Sequence, residues 1–390
     1  MSATADEAVA ASDLIESEAA IAPAKINLTL RILGRRADGF HELESLVAFA
    51  SFGDRLTFWP GAPLELKVAG PMAAVAGPLT ENLVLRAVRE LAGRIEGLAL
   101  GRFALTKRLP SGAGLGGGSA DAAAALRLIV KVNQLRLDDA RVQEAARATG
   151  ADVPVCLDPR PRVMRGIGEI LSAPLAVPKL GVLIVHPGFA LPTGPVFKAL
   201  GLAPGERYET PDVGADLDSN SAANSSPPNC GEGLGVEGCG TIRPRLLDPP
   251  TQPSSSRNRV YAGFGHSMEQ SKSATAHFDW GEEVAATRFW LNRGHMNEEA
   301  DRDALLAWLA SQRNDLESAA IAIAPPIADV FSVIAGLTGC RLARMSGSGS
   351  ACFGLFDSAR AASAAARRVA AEHPSWWVRA GLLGSDVGQQ

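Results

Sequence analysis

Hydrophobic and polar residues alternate near the start of the chain, over residues 22–28 (APAKINL) and on to residue 30. Successive side chains of a strand point to opposite faces, so this alternation predicts a strand. Its apolar face carries Ile26, Leu28 and Leu30. Its other face carries Lys25, Asn27 and Thr29. One cation is therefore expected on a rigid, otherwise apolar element.

Further segments complete the predicted pattern. Short apolar runs predict strands at residues 182–186, 341–344 and 352–356. An alanine-rich stretch predicts a helix over residues 122–126. A second helix is predicted over residues 135–149, with Val142, Ala145 and Ala146 on one face, and another near residues 301–310.

The length of 390 residues predicts two domains. We expect a disordered tail at 1–18, an N-terminal domain at 19–170 and a C-terminal domain at 171–386. An insertion at about 205–296 interrupts the second domain. Its first half is rich in Ser, Asn, Gly and Pro and is expected to be largely disordered, and its later aromatic residues could pack partially.

Charge and cysteine content exclude several classes of protein. The net charge of −4 gives no basic surface for nucleic acid or for an anionic membrane. The acidic start of the chain resembles neither a secretory signal nor a transit peptide. Five cysteines form no C-x-x-C pair, which predicts a reduced cytoplasmic protein without a zinc site. The sequence does not decide between a monomer and a homodimer.

A glycine-rich loop precedes the alanine-rich helix and is the strongest chemical signal in the sequence. Such a loop directs free backbone N–H groups and the positive end of a helix dipole at one point, which predicts a site for the phosphates of ATP. The residues predicted to bind ATP are Pro110, Ser111, Gly112, Ala113, Gly114, Leu115, Gly116, Gly117, Gly118, Ser119 and Ala120.

A glycine-rich loop before a helix has three other interpretations. No Gly-Lys-Ser/Thr ends it, so it is not a Walker A loop. The glycine spacing matches the dinucleotide fingerprint, but a second helix follows where that fold needs a parallel strand. The third alternative is a glycine-rich turn that binds no ligand.

Two more segments indicate phosphoryl transfer. Asp152 follows Gly150 in a turn closed by Pro154, where a carboxylate can accept a hydroxyl proton beside the ammonium group of Lys25. Taken singly, Lys25 could be a solvated strand residue and Asp152 a helix cap. A serine- and glycine-rich loop, Ser346, Gly347, Ser348 and Gly349, lies between two predicted strands and could approach the phosphates closely, or form an ordinary hairpin turn. Cys352 beside it is expected to be a buried apolar residue.

These segments, in this order, resemble the signatures of the GHMP kinase superfamily: PAKINL from residue 23, the loop at 110–120, GADVP from residue 150 and MSGSGSACFG from residue 345. The resemblance covers about residues 19–204 and 297–386. It implies a ribosomal-protein-like N-terminal α/β domain and a ferredoxin-like C-terminal α+β domain, with the active site between them. It also implies ATP as co-substrate, Mg²⁺, and Lys25 and Asp152 as the catalytic pair. No protein ligand of the metal is assigned, although Ser119 and Asp121 stand near the helix start.

Within the superfamily, the segment GRRADGFHEL from residue 34, followed by FGD from residue 52, resembles the branch that phosphorylates a cytidyl diphosphate of methylerythritol at its 2-hydroxyl. The resemblance implies that Phe40 stacks on the cytosine, that His41 hydrogen-bonds its edge, and that Asn27 lies beside the substrate phosphates. Taken alone, Phe40 would be a core aromatic and His41 a surface histidine. Arg165 departs from the family pattern, which usually has alanine there, so that segment is a weaker contact.

Two other functions stay open at this point. One is a GHMP kinase for another small alcohol, such as homoserine or mevalonate. The other is a non-catalytic nucleotide- or RNA-binding module, which the presence of both Lys25 and Asp152 disfavours.

Overall fold

A computed structural model of the chain describes residues 17–208 and 298–384. In these ranges the strands form one sheet of eleven strands. They are β1 Glu18–Asn27, β2 Arg31–Arg35, β3 His41–Pro60, β4 Glu65–Ala69, β5 Gly101–Thr106, β6 Arg162–Gly166, β7 Ile170–Leu171, β8 Leu180–His186, β9 Leu342–Met345, β10 Cys352–Phe356 and β11 Trp377–Leu383.

The helices cover the faces of this sheet. They are α1 Leu83–Ala92, α2 Gly117–Val132, α3 Ala140–Thr149, α4 Val153–Leu157, α5 Thr193–Lys198, α6 Glu298–Ser311, α7 Glu317–Ile323, α8 Pro326–Ala335 and α9 Ala359–Glu372. Two short 3₁₀ turns, Ala73–Val75 and Leu79–Glu81, precede α1.

The long strand β3 connects the two halves of the sheet. The order is β4, β5, β3, β11, β8, β10 and β9, and β1, β2 and β6 also pair with β3. The link between the halves is short, because β11 meets β3 only at Leu383 opposite Ala50. The strands that carry the predicted site residues therefore belong to one sheet, while the boundary between residues 170 and 171 stays a prediction.

Apolar side chains explain where the main helices lie. Helix α2 is nearly all alanine, leucine and isoleucine on its buried side, and Ala122–Ala125, Leu126 and Ile129 are fully buried. It packs with α1, α3 and α4 against β1 and β3. Burying one such leucine or isoleucine contributes roughly 1.5–3 kcal/mol. This packing fixes the start of α2, at the end of the glycine-rich loop.

Several element boundaries differ from the sequence-based expectation. The helix predicted over 135–149 begins only at Ala140, because the side chain of Asp139 caps it by accepting a hydrogen bond from the Arg141 amide. Val142, Ala145 and Ala146 do form its buried face. Strand β1 already includes Glu18, which the sequence placed in the tail. Residues 1–16 lie outside the described residues.

The chain entering the predicted insertion also differs. Residues 205–208 run along β2, where the Arg35 amide donates to Glu206 O at 2.7 Å and the Tyr208 amide donates to Leu33 O at 3.1 Å. Residues 205–208 therefore pack on the described fold, and the start of the insertion stays a prediction. The expectation for the rest of 205–296 falls on residues that the structure does not describe.

Within residues 17–208 and 298–384, no helix has the length and apolarity needed to cross a membrane. Cys352 is fully buried, as expected, and burial raises the pKa of its thiol. A cytoplasmic location stays a prediction.

Candidate active site

The glycine-rich loop connects β5 to α2 and alternates between two environments. Ala113 and Leu115 are buried in the core, 2% and 1% exposed. Gly112, Gly114 and Gly116 between them all have positive φ, at 63°, 74° and 62°. A side chain is strained in this left-handed conformation, so glycine is required here. The buried residues anchor the loop while the glycines turn its backbone toward the cleft.

The start of α2 leaves backbone donors free. Its N-cap is Gly116, which has no side chain to accept hydrogen bonds from the first turn. The first N–H groups of a helix lack partners within the helix and carry the positive end of its dipole. An anion such as a phosphate group can satisfy these donors.

Lys25 and Asp152 meet beside this loop. The Lys25 Nζ atom lies 3.1 Å from Asp152 Oδ2, and the two side chains are 5% and 37% exposed. The Lys25 amide also donates to Leu115 O at 2.9 Å, which ties β1 to the loop. Asp152 precedes α4 but its side chain makes no capping hydrogen bond. Lys25 is therefore not a solvated strand residue, and Asp152 does not cap the helix.

Asn27 orients the lysine from the same face of β1. Its Oδ1 atom accepts a hydrogen bond from Lys25 Nζ at 3.2 Å, and its Nδ2 atom donates to the buried Ser45 Oγ at 2.8 Å. The Asn27 amide donates to Ser346 Oγ at 3.2 Å. Asn27 is thus held on both sides.

The second loop, at residues 346–350, packs directly on the first. Ser346 Oγ donates to Gly114 O at 3.0 Å, and the Ala351 amide donates to Ala113 O at 3.1 Å. A Cβ added at Gly114 would lie 2.2 Å from Ser346 O, so the two backbones touch. Loops more than 200 residues apart in sequence are thereby brought together, and this second loop is no isolated hairpin turn.

A cleft of about 580 Å³ opens over these groups. Residues 110–119 line it, together with Lys25, Asn27, Asp152, Gly347 and Ser348. Ala120, which the sequence assigned to ATP binding, is buried in the first turn of α2 and does not line the cleft. Ser346 and Gly349 do not line the cleft; Ser346 Oγ donates to Gly114 O, and the Gly349 amide donates to Ser346 O at 3.0 Å.

Phe40 and His41 lie at the end of the hairpin formed by β2 and β3. Phe40 is 58% exposed, so it is not a core aromatic. The His41 ring lies 4.9 Å from the Phe197 ring, and Phe197 lines the cleft. His41 Nε2 is buried with no hydrogen-bond partner among the described residues. Burial and the nearby Arg35 lower the pKa of His41, which favours the neutral ring.

The place of Phe197 at the cleft could not be predicted from the sequence. It belongs to the short helix α5, which follows a loop rather than a periodic segment, so no pattern distinguished it from an ordinary apolar residue. Arg165 does not line the cleft, because its guanidinium pairs with Glu44. Met164 and Ile167, from the same segment, do line the cleft, so the weaker ligand contact expected of this segment stays a prediction.

A buried cluster of three charged side chains connects β3, the residue after β5 and helix α2. Lys107 Nζ donates to Asp54 Oδ2 at 2.5 Å and to Asp121 Oδ2 at 2.7 Å, and all three side chains are at most 5% exposed. Burial raises the pKa of Asp121 to about 8 although Lys107 opposes it. Burial would lower the pKa of Lys107, but Asp121 and Asp54 raise it. Asp121 therefore serves this cluster, rather than the dipole of α2.

Two family models match the chain. The model described as the GHMP kinases N terminal domain matches residues 82–158, and the model described as GHMP kinases C terminal matches residues 297–375. A 4-diphosphocytidyl-2-C-methyl-D-erythritol kinase of Xanthobacter autotrophicus is 45% identical over 362 residues, which cover 93% of this chain and 97% of the relative. The chain belongs to the 4-diphosphocytidyl-2-C-methyl-D-erythritol kinase family.

Further comparisons agree with this family. The 4-diphosphocytidyl-2-C-methyl-D-erythritol kinase of Methylobacterium radiotolerans is 45% identical over 92% of this chain and 96% of its own. A crystal structure of 4-(cytidine 5'-diphospho)-2C-methyl-D-erythritol kinase has 28% identity and a TM-score of 0.58, covering 94% of this chain and 99% of that one. A homoserine kinase from Cytophaga hutchinsonii shares the fold, with a TM-score of 0.55 at 16% identity over 97% of each chain. The fold is that of GHMP kinases, and the protein is a small-molecule kinase.

Proposed function

We propose that this chain transfers the γ-phosphoryl group of ATP to the 2-hydroxyl of 4-diphosphocytidyl-2-C-methyl-D-erythritol, giving the 2-phosphate and ADP. The family and the fold support a kinase. The observation that carries the proposal is the meeting of Lys25, Asp152 and the free amides of the glycine loop in one cleft. A carboxylate, a cation and a row of N–H donors are the groups that phosphoryl transfer needs.

The reacting bonds follow from this arrangement. The substrate oxygen forms a bond to the γ-phosphorus while the bond from that phosphorus to the β,γ-bridging oxygen breaks, and the electron pair leaves with ADP. The hydroxyl proton passes to Asp152. Because a tertiary alcohol is a weak acid, Asp152 takes the proton late, as the new bond forms. Lys25, held by Asn27, offsets negative charge beside Asp152.

The loop residues hold the phosphates. Residues 112–119 line the cleft, and the glycines among them let the polyphosphate approach the backbone without a Cβ in the way. Gly347 and Ser348 close the same region from the second loop. These contacts position the γ-phosphate, which is the larger part of catalysis in this reaction class.

The proposal includes Mg²⁺ bound with the nucleotide. Among the described residues no cluster of three or more metal-binding side chains occurs, and Asp121 already pairs with Lys107. A site with few protein ligands suits Mg²⁺, which is usually bound by phosphate oxygens, waters and one or two protein groups. Ser119 lines the cleft and offers a hydroxyl. The metal would neutralise charge on the phosphates.

Three side chains support the choice of a cytidyl substrate. Phe197 lines the cleft, whereas Phe40 and His41 do not line it themselves. Phe40 presents an exposed aromatic face, and His41, whose ring lies 4.9 Å from that of Phe197, has a buried nitrogen without a partner among the described residues. Stacking on an aromatic side chain contributes roughly 1–3 kcal/mol per base, and the histidine edge can select the base. Neither homoserine nor mevalonate has a ring that would use these groups.

A coupled assay of ADP release tests the proposal. The purified chain would be supplied with ATP, Mg²⁺ and, in turn, the cytidyl substrate, mevalonate and homoserine. We expect kcat/KM for the cytidyl substrate to exceed the others by at least about a hundredfold, since its base makes contacts that they lack. Preferential phosphorylation of mevalonate or homoserine would contradict the proposed substrate.

A further inference from the structure

A second cavity, of about 430 Å³, shares no lining residue with the nucleotide cleft. Phe52, Arg108, Trp377 and Arg379 line it, together with Ile21, Ser51, Gly53, Pro71 and Leu109. We call it the arginine cavity. Its volume lies within the range of about 300–1,000 Å³ that is usual for small-molecule sites.

Two aromatic rings form walls of the arginine cavity. The centroids of Phe52 and Trp377 are 6.4 Å apart and the rings are tilted by 56°. Trp377 is fixed by its indole Nε1, which donates to Arg108 O at 3.0 Å. Ser51 Oγ accepts a hydrogen bond from the Leu382 amide at 2.9 Å, which holds β3 against β11. The walls therefore stand on paired strands and are largely preformed.

The charge in the arginine cavity is all positive. Arg108 and Arg379 are exposed, and no acidic residue lines the cavity. Within residues 17–208 and 298–384, neither guanidinium has a hydrogen-bond or ion-pair partner. Most other arginines in the described ranges do pair with carboxylates or carbonyls, as Arg36, Arg94 and Arg162 do. Two unneutralised guanidinium groups on one cavity indicate an anionic ligand.

We propose that the arginine cavity binds an organic phosphate with a planar body. A guanidinium binds phosphate oxygens through two parallel N–H donors, and aromatic rings offer a face to a planar group. The phosphate meets Arg108 and Arg379, and the planar body packs on Phe52 and Trp377. This site lies outside the proposed phosphoryl transfer and does not depend on it.

The position of Arg108 gives the site a short path to the glycine loop. The Leu109 amide donates to Asp54 Oδ1 at 2.8 Å, and the Arg108 amide donates to the same oxygen. Pro110, the next residue, begins the loop. The test must therefore separate this cavity from the nucleotide cleft.

Calorimetric titration with phenyl phosphate tests the proposal. The full chain would first be saturated with a non-hydrolysable ATP analogue and the cytidyl substrate, so that the cleft is filled. We expect one equivalent of phenyl phosphate to bind, at least about tenfold more tightly than inorganic phosphate, because the ring adds contacts worth about 1.4 kcal/mol or more.

Variants of Arg379 assign the binding to the cavity. Arg379→Ala should weaken phenyl phosphate binding at least about tenfold, and Arg379→Lys should fall between it and the original chain. Arg367→Ala is the matched control, because Arg367 is also exposed but lies on α9. This variant should bind phenyl phosphate as the original chain does. Arg379 lies outside the cleft, so Arg379→Ala should keep its kcat.

Three results would overturn the proposal: unchanged binding in Arg379→Ala, equal affinity for inorganic phosphate, or no binding to the saturated chain. None of these would affect kinase activity, so failure of this proposal and failure of the proposed function are distinguishable.

Discussion

Substitution of His41 should weaken binding of the cytidyl substrate more than binding of ATP. Its buried Nε2 has no partner among the described residues and its ring lies against Phe197. We expect His41→Ala to raise the KM for the cytidyl substrate at least about tenfold, because a hydrogen bond to the base is lost. The KM for ATP should change less than about threefold. Steady-state kinetics with each substrate varied in turn measures both.

His373 provides the matched control, because its ring stacks on Trp376 and not on the cleft residue Phe197. His373→Ala should leave both KM values as they are. An unchanged KM for the cytidyl substrate in His41→Ala would contradict the proposal that the cytosine binds beside His41.

The glycine loop depends on the absence of a side chain at Gly114. Gly114→Ala would place a Cβ 2.2 Å from Ser346 O and demand a positive φ of 74°. We expect the KM for ATP to rise at least about tenfold, because the strain of roughly 1–2 kcal/mol and the clash displace the phosphate-binding amides. Kinetics at varied ATP checks this.

Gly93→Ala is the control for this substitution. Gly93 ends α1 with a negative φ of −69°, and the nearest atom to an added Cβ is at 3.5 Å. Its ATP kinetics should be unchanged. An equal loss in both variants, or none in Gly114→Ala, would contradict the assigned role of the loop.

The buried cluster under α2 predicts a large effect on stability. Lys107→Met leaves Asp54 and Asp121 buried without their cation, and we expect the free energy of unfolding to fall by roughly 3–5 kcal/mol. Chemical denaturation monitored by circular dichroism measures this. Combining Lys107→Met with Asp54→Asn and Asp121→Asn should recover part of the loss.

Lys67, on β4 with a side chain 68% exposed, is the control. Lys67→Met should change the free energy of unfolding by less than about 0.5 kcal/mol. A loss below about 1 kcal/mol in Lys107→Met would show that the cluster does not support the fold.

The stability of the whole molecule should depend on pH through His186. Burial lowers the pKa of this residue to about 4, and its Nδ1 accepts a hydrogen bond from the Gly188 amide at 3.2 Å. Between pH 6.5 and 4 the unfolded chain binds a proton that the folded chain does not. The free energy of unfolding should therefore fall as pH falls through this window, by at most about 3 kcal/mol from this residue.

His186→Asn should flatten that part of the pH dependence, because the amide oxygen can accept the same hydrogen bond without titrating. Denaturant unfolding from pH 4 to 8 measures it. Parallel curves for the two proteins would contradict the role given to His186.

Much of the site could be predicted from the sequence because its signals are local. Alternation placed Lys25 and Asn27 on one face of β1, and glycine spacing marked the loop before α2. The buried role of Lys107 could not be predicted, since a lysine at the end of a strand is usually solvated and only Asp54 and Asp121, distant in sequence, make it otherwise. Phe197 and the docking of residues 205–208 on β2 also depend on non-local contacts that no periodicity records.

The continuous sheet was not predicted either. The sequence motifs divide into two domains, but the pairing of β3 with β1, β2, β5, β6 and β11 depends on one strand of 20 residues. The sequence does not indicate the length of β3, because Gly53 and the buried polar residues Ser45 and Asp54 interrupt its pattern of apolar residues. The extent of the sheet is therefore set by pairing between segments distant in sequence, which local patterns do not indicate.

The most direct test of the whole account is the rate of a single turnover in Asp152→Asn, measured together with its affinity for ATP. The control is Asp139→Asn, because asparagine caps a helix as well as aspartate does. We expect Asp152→Asn to slow phosphoryl transfer at least about a hundredfold while the Kd for ATP changes less than about threefold. A rate within about tenfold of the original, or an equal loss of ATP affinity, would contradict it.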